Sequence, residues 1–292
     1  MSITDLAKLF SFREDILEAC FDFLWLTTDF FEKKGKYLTL KNPNQFPKWL
    51  VMSAYKSVFD NLGGLLSGEK IYGRDMIRDG HQLQKASYFF SRDAIQNIAV
   101  KLQSIDEEST FVDLGCGSAN SLISFVIANP KINGVGIDID SNVVNAAKQN
   151  VIHAHCDNRV KIFQADLTDI QHWRAHIPAH KKIFFLASAV LHEFLRDGEQ
   201  KFASLLKEFK DVFPCSRFFV IEYDALRPEE IKNEPDEERK LFAAMYMLLH
   251  PLSNQGSPCS QREWMRLFQK SGWFVKNVRK LSGDVVLYDC LL

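Results

Sequence analysis

The chain has 292 residues, of which 46% are hydrophobic and 25% charged, and its formal net charge is -1 at pH 7. This is the composition of a soluble globular protein, and the near-zero charge excludes a general attraction to nucleic acid or anionic membranes. The six cysteines form no C-x-x-C pair, so we expect neither a zinc cluster nor a disulfide framework. No signal-peptide pattern and no apolar run of ~20 residues is visible, so we expect a cytoplasmic protein without a membrane partner.

Apolar residues recur at helical spacing in the first third of the chain. They predict amphipathic helices over residues 15–35 and 46–68, each ending at a glycine. Between them, the alternating stretch KYLTLKN (36–42) predicts a short β-wing. Helices followed by a small wing are typical of a winged helix, so we predict a helical, winged-helix-like domain over residues 1–105.

After residue 105, short apolar runs alternate with helical stretches. Continuously apolar strands separated by helices predict a buried parallel sheet of the α/β class, doubly wound and Rossmann-like, over residues 106–292. The last two runs have no helix between them, which predicts an antiparallel hairpin at one edge of a seven-stranded sheet. The predicted strands cover residues 110–115, 132–140, 159–166, 182–188, 217–224, 273–281 and 284–292.

Each of the first three predicted strands ends at an aspartate, namely Asp113, Asp138 and Asp166. In a doubly wound sheet, ligands bind beyond the carboxyl ends of the strands. The stretch FVDLGCGSAN adds Gly115 and Gly117, which let the backbone approach a ligand at a helix start. A lone aspartate usually caps a helix or forms a turn. Three in register around two glycines indicate a cofactor site.

The segments DLGCGSAN, GVGIDID and QADLTD resemble the class I S-adenosylmethionine-dependent methyltransferases. This resemblance implies S-adenosylmethionine as cofactor, with Asp138 on its ribose hydroxyls and Asp166 on its adenine. The family often has a glycine where this chain has Ala119. The implied cofactor-binding residues are Asp113, Gly115, Cys116, Gly117, Asp138, Ile139, Asp166, Leu167 and Ser188.

The stretch LASAVLHEFLRDGE (186–199) follows the fourth predicted strand. It resembles the His–acidic motif of small-molecule O-methyltransferases that carry an N-terminal winged-helix dimerisation domain. The resemblance implies catalytic roles for His192, as general base, and Glu193, with a small-molecule hydroxyl as methyl acceptor and a homodimer as the assembly. In that family a further acidic residue from a later loop orients the base, whereas the corresponding segment here offers His250.

Two alternatives remain open. The pattern is also similar to a smaller branch that C-methylates 2-oxo acids with a non-haem iron, which would make His192 and His250 metal ligands. His250 fits equally well as a buried histidine at a helix end, where its charge suits the helix dipole. The other alternative is a non-catalytic, S-adenosylmethionine-sensing winged-helix regulator. The helix FDFLWLTTDFF is apolar and acidic, however, so we expect no nucleic-acid partner.

Overall fold

The computed structural model describes residues 2–27, 31–41, 46–178 and 182–292. Contacts between residues divide the chain into two compact units, Met1–Met52 and Ser53–Leu292. This division lies upstream of residue 105, where the sequence pattern changes from helical to alternating. The predicted domain boundary at residue 105, between a dimerisation domain and a methyltransferase domain, therefore stays a prediction.

The first unit contains two helices and a hairpin. Because Gly35 takes a positive φ of 61°, the chain can turn back there and pair β1 with β2 in antiparallel fashion. The predicted helix over residues 15–35 is therefore wrong in its last part, where residues 31–34 form a strand. Residues 28–30 of that helix, and the last residue of the predicted wing, lie outside the described residues. The elements are α1 (Ile3–Phe10), α2 (Glu14–Thr27), β1 (Phe31–Lys34) and β2 (Tyr37–Leu40).

The region before the sheet is helical, but the predicted helix over residues 46–68 is three shorter ones. It is interrupted at Tyr55 and Asn61 and ends at Gly68, whose φ is 78°. A long helix that was not predicted from the sequence follows. The Asp79 side chain caps it by accepting hydrogen bonds from the N–H groups of His81 and Gln82. These elements are α3 (Phe46–Ala54), α4 (Lys56–Asp60), α5 (Leu62–Ser67) and α6 (Gly80–Leu102).

A seven-stranded sheet organises the second unit, and its strand order is β5-β4-β3-β6-β7-β9-β8. The first five strands in this order are parallel, whereas β9 runs antiparallel to both of its neighbours. The prediction of a doubly wound sheet with an antiparallel edge hairpin is confirmed. The strands are β3 (Ser109–Leu114), β4 (Ile132–Asp138), β5 (Val160–Gln164), β6 (Lys182–Ser188), β7 (Arg217–Tyr223), β8 (Phe274–Lys280) and β9 (Val285–Leu291).

Helices cover both faces of the sheet, and successive strand residues face opposite sides. Phe184 of β6 packs in one hydrophobic cluster, while Phe185 packs in the other, around Trp173. The helices are α7 (Asn120–Ala128), α8 (Ser141–His153), α9 (Ile170–Arg174), α10 (Glu199–Val212), α11 (Pro228–Asn233), α12 (Glu237–Leu252) and α13 (Gln261–Lys270), with 3-10 helices at Leu191–Asp197 and Ser282–Asp284. Among the helices of the described residues, none is long and apolar enough to cross a membrane.

Candidate active site

The glycine turn after β3 favours glycine at two positions. Gly115 and Gly117 both have positive φ, 66° and 55°. A Cβ atom on Gly115 would lie 2.6 Å from Cγ2 of Val190, and one on Gly117 would lie 1.9 Å from Nε2 of Gln84. The positive φ favours glycine at both positions, and at Gly115 the branched Val190 side chain also leaves no room for a Cβ atom. Val190 also brings the segment before His192 against this turn.

Two further residues of the turn, Ala119 and Cys116, are buried. Ala119 has a φ of 61°, a left-handed conformation that costs an L-residue about 1–2 kcal/mol. A glycine at this position would avoid that cost. Cys116 is buried among core side chains, and burial raises the pKa of its thiol. Only its backbone is therefore placed to serve a ligand.

Two carboxyl groups meet beneath the turn. Asp138 Oδ2 accepts a hydrogen bond from the Gly117 N–H at 3.0 Å, and Oδ1 accepts one from the Asp140 N–H at 3.1 Å. Burial raises the pKa of Asp138, and burial together with the charge of Asp138 raises the pKa of Asp113 to about 8. A positively charged ligand would stabilise the ionised form of both groups.

The side chains of Asp138 and Asp166 make turn contacts, as lone aspartates commonly do. Asp138 Oδ1 accepts from the N–H of Asp140, and Asp166 Oδ1 accepts from the backbone N–H and the hydroxyl of Thr168, at 2.8 and 2.7 Å. The helix cap at this edge is the Asp140 side chain, which caps α8. The cofactor roles of the predicted aspartates therefore stay predictions.

The remaining predicted cofactor residues lie along the same edge. Gln164 of β5 pairs with Asp138 of β4, so the two strand ends lie side by side. Ile139 is 64% exposed, although it is apolar. Leu167 is buried, and its carbonyl accepts a hydrogen bond from Trp173 Nε1 at 3.3 Å. Ser188 ends β6 and is half-buried.

A cavity of ≈ 650 Å³ lies between α6, the segment before it and the start of α8. Gln84, Asp140 and Arg78 are among the residues that line it. Because Gln84 also lies against Gly117, the cavity borders the glycine turn. Its size is that of a small-molecule site.

The base predicted from the sequence is buried and has an acidic partner. His192 is 7% exposed, and its Nδ1 lies 3.0 Å from Oε2 of Glu222 at the end of β7. Glu222 is 2% exposed and also accepts the backbone N–H of His192 at 3.2 Å. The neighbouring parallel strands β6 and β7 place the two residues together.

This contact determines what the imidazole of His192 can do. A carboxylate only accepts hydrogen bonds, so Nδ1 carries the proton and Nε2 keeps a lone pair. Burial opposes ionisation of His192, but the charge and hydrogen bond of Glu222 outweigh it and raise the pKa of the imidazole. Nε2 is therefore the ring nitrogen that can accept a proton, and Glu222 stabilises the protonated form of the ring.

Glu193 has a different set of partners. It forms an ion pair with Arg78 and accepts a hydrogen bond from Gln255 Nε2 at 3.2 Å. Burial opposes ionisation of Glu193, but the charges of Arg78 and His192 and the hydrogen bonds from Arg78 and Gln255 together lower the pKa of its carboxyl. Arg78 also donates to Tyr55 Oη at 3.3 Å. The carboxylate that orients His192 is thus Glu222, and a catalytic role for Glu193 stays a prediction.

His250, near the end of α12, lies beside the base. The ring centroids of His192 and His250 are 5.2 Å apart. Within residues 2–27, 31–41, 46–178 and 182–292, no three His, Cys, Asp or Glu side chains are grouped so that they could hold a metal ion. The two histidines named by the iron hypothesis therefore stand without a third protein ligand from the described residues.

Sequence reasoning missed three residues of this site. Glu222 left a signal, because an acidic residue inside the apolar run RFFVIEYD is expected to have a buried partner. The carboxylate that contacts His192 comes from β7 and not from the later loop that the family resemblance implies. Arg78 and Gln84 left no comparable signal, because each reaches the site from a helical region far away in sequence.

Comparison with known proteins agrees with this geometry. The O-methyltransferase domain family matches residues 76–274. An O-methyltransferase family protein from Burkholderia thailandensis is 14% identical, with a TM-score of 0.61, covering 100% of this chain and 88% of that one. A Nostoc punctiforme protein assigned as an O-methyltransferase is 16% identical, with a TM-score of 0.69, and the alignment covers 100% of this chain and 88% of that one.

A third solved structure is the O-methyltransferase of neocarzinostatin biosynthesis, in complex with S-adenosylmethionine and 2-hydroxy-5-methyl naphthoic acid. It is 16% identical, with a TM-score of 0.57, and the alignment covers 99% of this chain and 88% of that one. At such identities the solved structures establish the fold alone. The family match spans more than half of the chain, and the chain therefore belongs to the O-methyltransferase domain family and is an S-adenosylmethionine-dependent methyltransferase.

Proposed function

We propose that this enzyme methylates a hydroxyl group of a small molecule and that His192 is the general base. The observation that carries the proposal is the buried His192–Glu222 pair, which holds Nδ1 and leaves the Nε2 lone pair of His192 available. Val190, two residues before the base, lies against the glycine turn. An imidazole held in one tautomer by a carboxylate is suited to take a proton from a hydroxyl.

The residues at the glycine turn fit S-adenosylmethionine. The turn has no side chains at Gly115 and Gly117, which leaves backbone for the amino-acid tail of the cofactor. Asp138 suits the ribose hydroxyls because a carboxylate accepts two hydrogen bonds side by side. Asp166 and the backbone of Leu167 suit the adenine. When bound, the cofactor supplies an electrophilic methyl group on a sulfonium.

The chain contributes proton transfer and orientation. His192 Nε2 takes the proton of the acceptor hydroxyl, so that the oxygen gains nucleophilic character. The resulting imidazolium is stabilised by Glu222, whose carboxylate already holds Nδ1 at 3.0 Å. The half-buried ion pair of Arg78 and Glu193 connects the segment of the base to the region before α6 and limits solvent access.

The test is a methyl-transfer assay of the purified protein with a panel of phenols. We expect transfer to an oxygen, and a loss of about 10²–10⁴-fold in kcat for His192→Gln, with cofactor affinity unchanged. His153→Gln, at an exposed histidine of α8, is the control and keeps full activity. Unchanged transfer in His192→Gln contradicts the assignment of the base.

Iron-assisted C-methylation of a 2-oxo acid is the second candidate. It is favoured by one observation, that Nδ1 of both histidines is engaged and Nε2 of both is available as a ligand. It ranks second because the Arg78 charge, which would suit an acidic acceptor, is already balanced by Glu193. Stoichiometric iron in protein purified without chelators, lost in both His192→Gln and His250→Phe, would reverse this order.

The N-terminal part acts as a winged-helix-like dimerisation module in a cytoplasmic homodimer. Several apolar side chains of α1 and α2 are exposed, and Phe10 and Phe12 stack on each other with ring centroids 5.7 Å apart. Exposed apolar patches of this kind mark protein–protein contacts. Light scattering is expected to give twice the chain mass of 33.6 kDa, and a concentration-independent monomer contradicts the homodimer.

The family match gives no support to the alternative of a non-catalytic regulator that senses S-adenosylmethionine.

A further inference from the structure

His250 presents a buried nitrogen for which the structure provides no hydrogen-bond donor. The residue is 2% exposed, and among the described residues none donates to its Nε2 atom. Its other ring nitrogen, Nδ1, lies 2.7 Å from the carbonyl oxygen of Tyr246. A carbonyl only accepts, so Nδ1 carries the proton and Nε2 is a lone-pair acceptor.

The charge state of His250 agrees with this assignment. Burial, and the neighbouring His192, lower the pKa of His250 to about 3. The ring is therefore neutral at cellular pH and cannot gain a proton at Nε2 to resolve the unmet hydrogen bond. A buried acceptor that has no donor destabilises the folded protein, and a ligand that donates to it removes that loss.

The unmet acceptor lies beside His192, the proposed base. The ring of His250 is 5.2 Å from that of His192 and 4.3 Å from that of Tyr246, centroid to centroid. The backbone carbonyl of His250 accepts from the N–H of Gln255, whose side chain donates to Glu193. Two imidazoles with the same tautomer therefore stand side by side, each held at Nδ1 and each with an Nε2 lone pair.

We propose that Nε2 of His250 accepts a hydrogen bond from a second donor of the methyl acceptor, next to the hydroxyl that His192 deprotonates. This inference rests on the proposed function and narrows its substrate to neutral acceptors with donors on neighbouring atoms, of which ortho-dihydroxyaryl compounds are the simplest class. Each hydrogen bond spans about 2.8 Å. Rings whose centroids are 5.2 Å apart are close enough for one small ligand to reach both.

Neutrality follows from the charges around the two rings. The Arg78 guanidinium is paired with Glu193, and the Glu222 carboxylate is engaged by His192. A buried acidic acceptor would need to displace one of these partners, whereas a diol needs only the two lone pairs. Tyr246, which packs edge-on against His250, adds an aromatic neighbour suited to a flat ring.

The test measures binding apart from transfer. Affinities for catechol and phenol, and for 2,3-dihydroxynaphthalene and 2-naphthol, are measured by calorimetry in the presence of S-adenosylhomocysteine. We expect the dihydroxy member of a pair to bind at least tenfold more tightly, because a buried acceptor strongly favours the ligand that satisfies it. Equal affinity within each pair, or no binding of either member, overturns the proposal.

Two variants identify the atom responsible. His250→Phe keeps a ring against Tyr246 but removes Nε2, so it should bring the affinity ratio within a pair to about one by weakening only the dihydroxy ligand. His250→Gln restores an acceptor oxygen and should recover part of the ratio. His153→Phe, at the exposed histidine of α8, should match the wild type. A ratio that survives in His250→Phe, or that disappears on chelation of metal, contradicts the role of Nε2.

The same ligands separate this inference from the proposed function. If the dihydroxy preference exists and depends on His250, but no oxygen is methylated, the proposed function fails and only the role of His250 Nε2 in binding the ligand stands. If monohydroxy and dihydroxy acceptors are methylated with equal kcat/KM, the proposed function stands and the inference fails.

Discussion

The proposed site has two halves at one edge of one sheet, and the two are held together differently. The cofactor half is the glycine turn with Asp138, and the acceptor half is His192 with Glu222, Glu193 and the side chains that contact them. In the cofactor half, the Asp138–Gly117 bond joins residues only 21 positions apart, and its donor is a backbone N–H. In the acceptor half, contacts between side chains span 115 positions for Arg78–Glu193 and 62 for Gln255–Glu193. One half is a local backbone motif, whereas the other is assembled from distant segments.

This difference separates the shared chemistry from the specificity. A turn that is held by glycine conformations and strand ends can change little without losing the cofactor. The contacts of the acceptor half depend on single side chains, each of which can be replaced without disturbing a strand. Substrate choice is therefore expected to depend on the acceptor half, and substitutions in the two halves should have separable effects.

The largest effect is expected from breaking the acceptor half at Glu222. Glu222→Gln removes the charge that holds His192 in its tautomer, and we expect kcat to fall about 10²–10⁴-fold, as for the acidic member of other catalytic triads. Because Glu222 raises the pKa of His192, the acid limb of the pH–rate profile should also move to lower pH. Cofactor affinity measured by calorimetry should not change. An unshifted acid limb would contradict the pairing.

The corresponding substitution in the cofactor half is Asp138→Ala. It removes an acceptor for two ribose hydroxyls, each worth roughly 1.5–3 kcal/mol to a charged partner. We expect the Kd for S-adenosylmethionine to rise about 100-fold, while the acid limb of the pH–rate profile at saturating cofactor stays in place. Asp211→Ala, at an exposed aspartate of α10, is the control and should keep the affinity of the wild type. Unchanged cofactor affinity in Asp138→Ala contradicts the role of Asp138.

A smaller effect is expected at the ion pair that connects the acceptor half. Arg78→Met leaves the half-buried Glu193 carboxylate without its partner, and we expect KM for the methyl acceptor to rise about tenfold. Adding Glu193→Gln removes the unpaired charge and should restore part of the loss, with a coupling energy of about 1–3 kcal/mol. Additive effects in this double-mutant cycle, measured by steady-state kinetics, would show that the pair does not act as a unit.

The sequence predicted what is encoded locally. Continuous apolar runs and the intervening helices predicted the seven strands, because burial on both faces of a parallel sheet leaves that pattern. The glycines and the aspartates at strand ends could be placed for the same reason, since their positions follow from the strands. Residues 31–34 were misassigned because a four-residue strand carries too few alternations to separate it from the helix before it.

The acceptor half could not be predicted to the same depth. His192 was found from its local motif, but its partner Glu222 depends on β6 and β7 lying next to each other. Arg78 meets Glu193 only after α6 and the loop following β6 have packed together. A single sequence contains no pattern for such pairings, because each residue by itself resembles an ordinary surface charge.

The smallest effect tests the raised pKa of Asp113 in the cofactor half. Its carboxyl titrates near pH 8 in the folded protein and near 3.9 in an unfolded chain, so between these values the folded state binds more protons. The free energy of unfolding must therefore fall as pH rises through this interval. Asparagine has a similar shape and does not ionise, so Asp113→Asn removes this loss. We expect ligand-free Asp113→Asn to exceed the wild type in stability by about 1 kcal/mol or more at pH 8, and by much less at pH 4. Chemical denaturation at both pH values measures the difference, with Asp197→Asn as an exposed control. A stability difference that is the same at both pH values would mean that Asp113 is already ionised at pH 4.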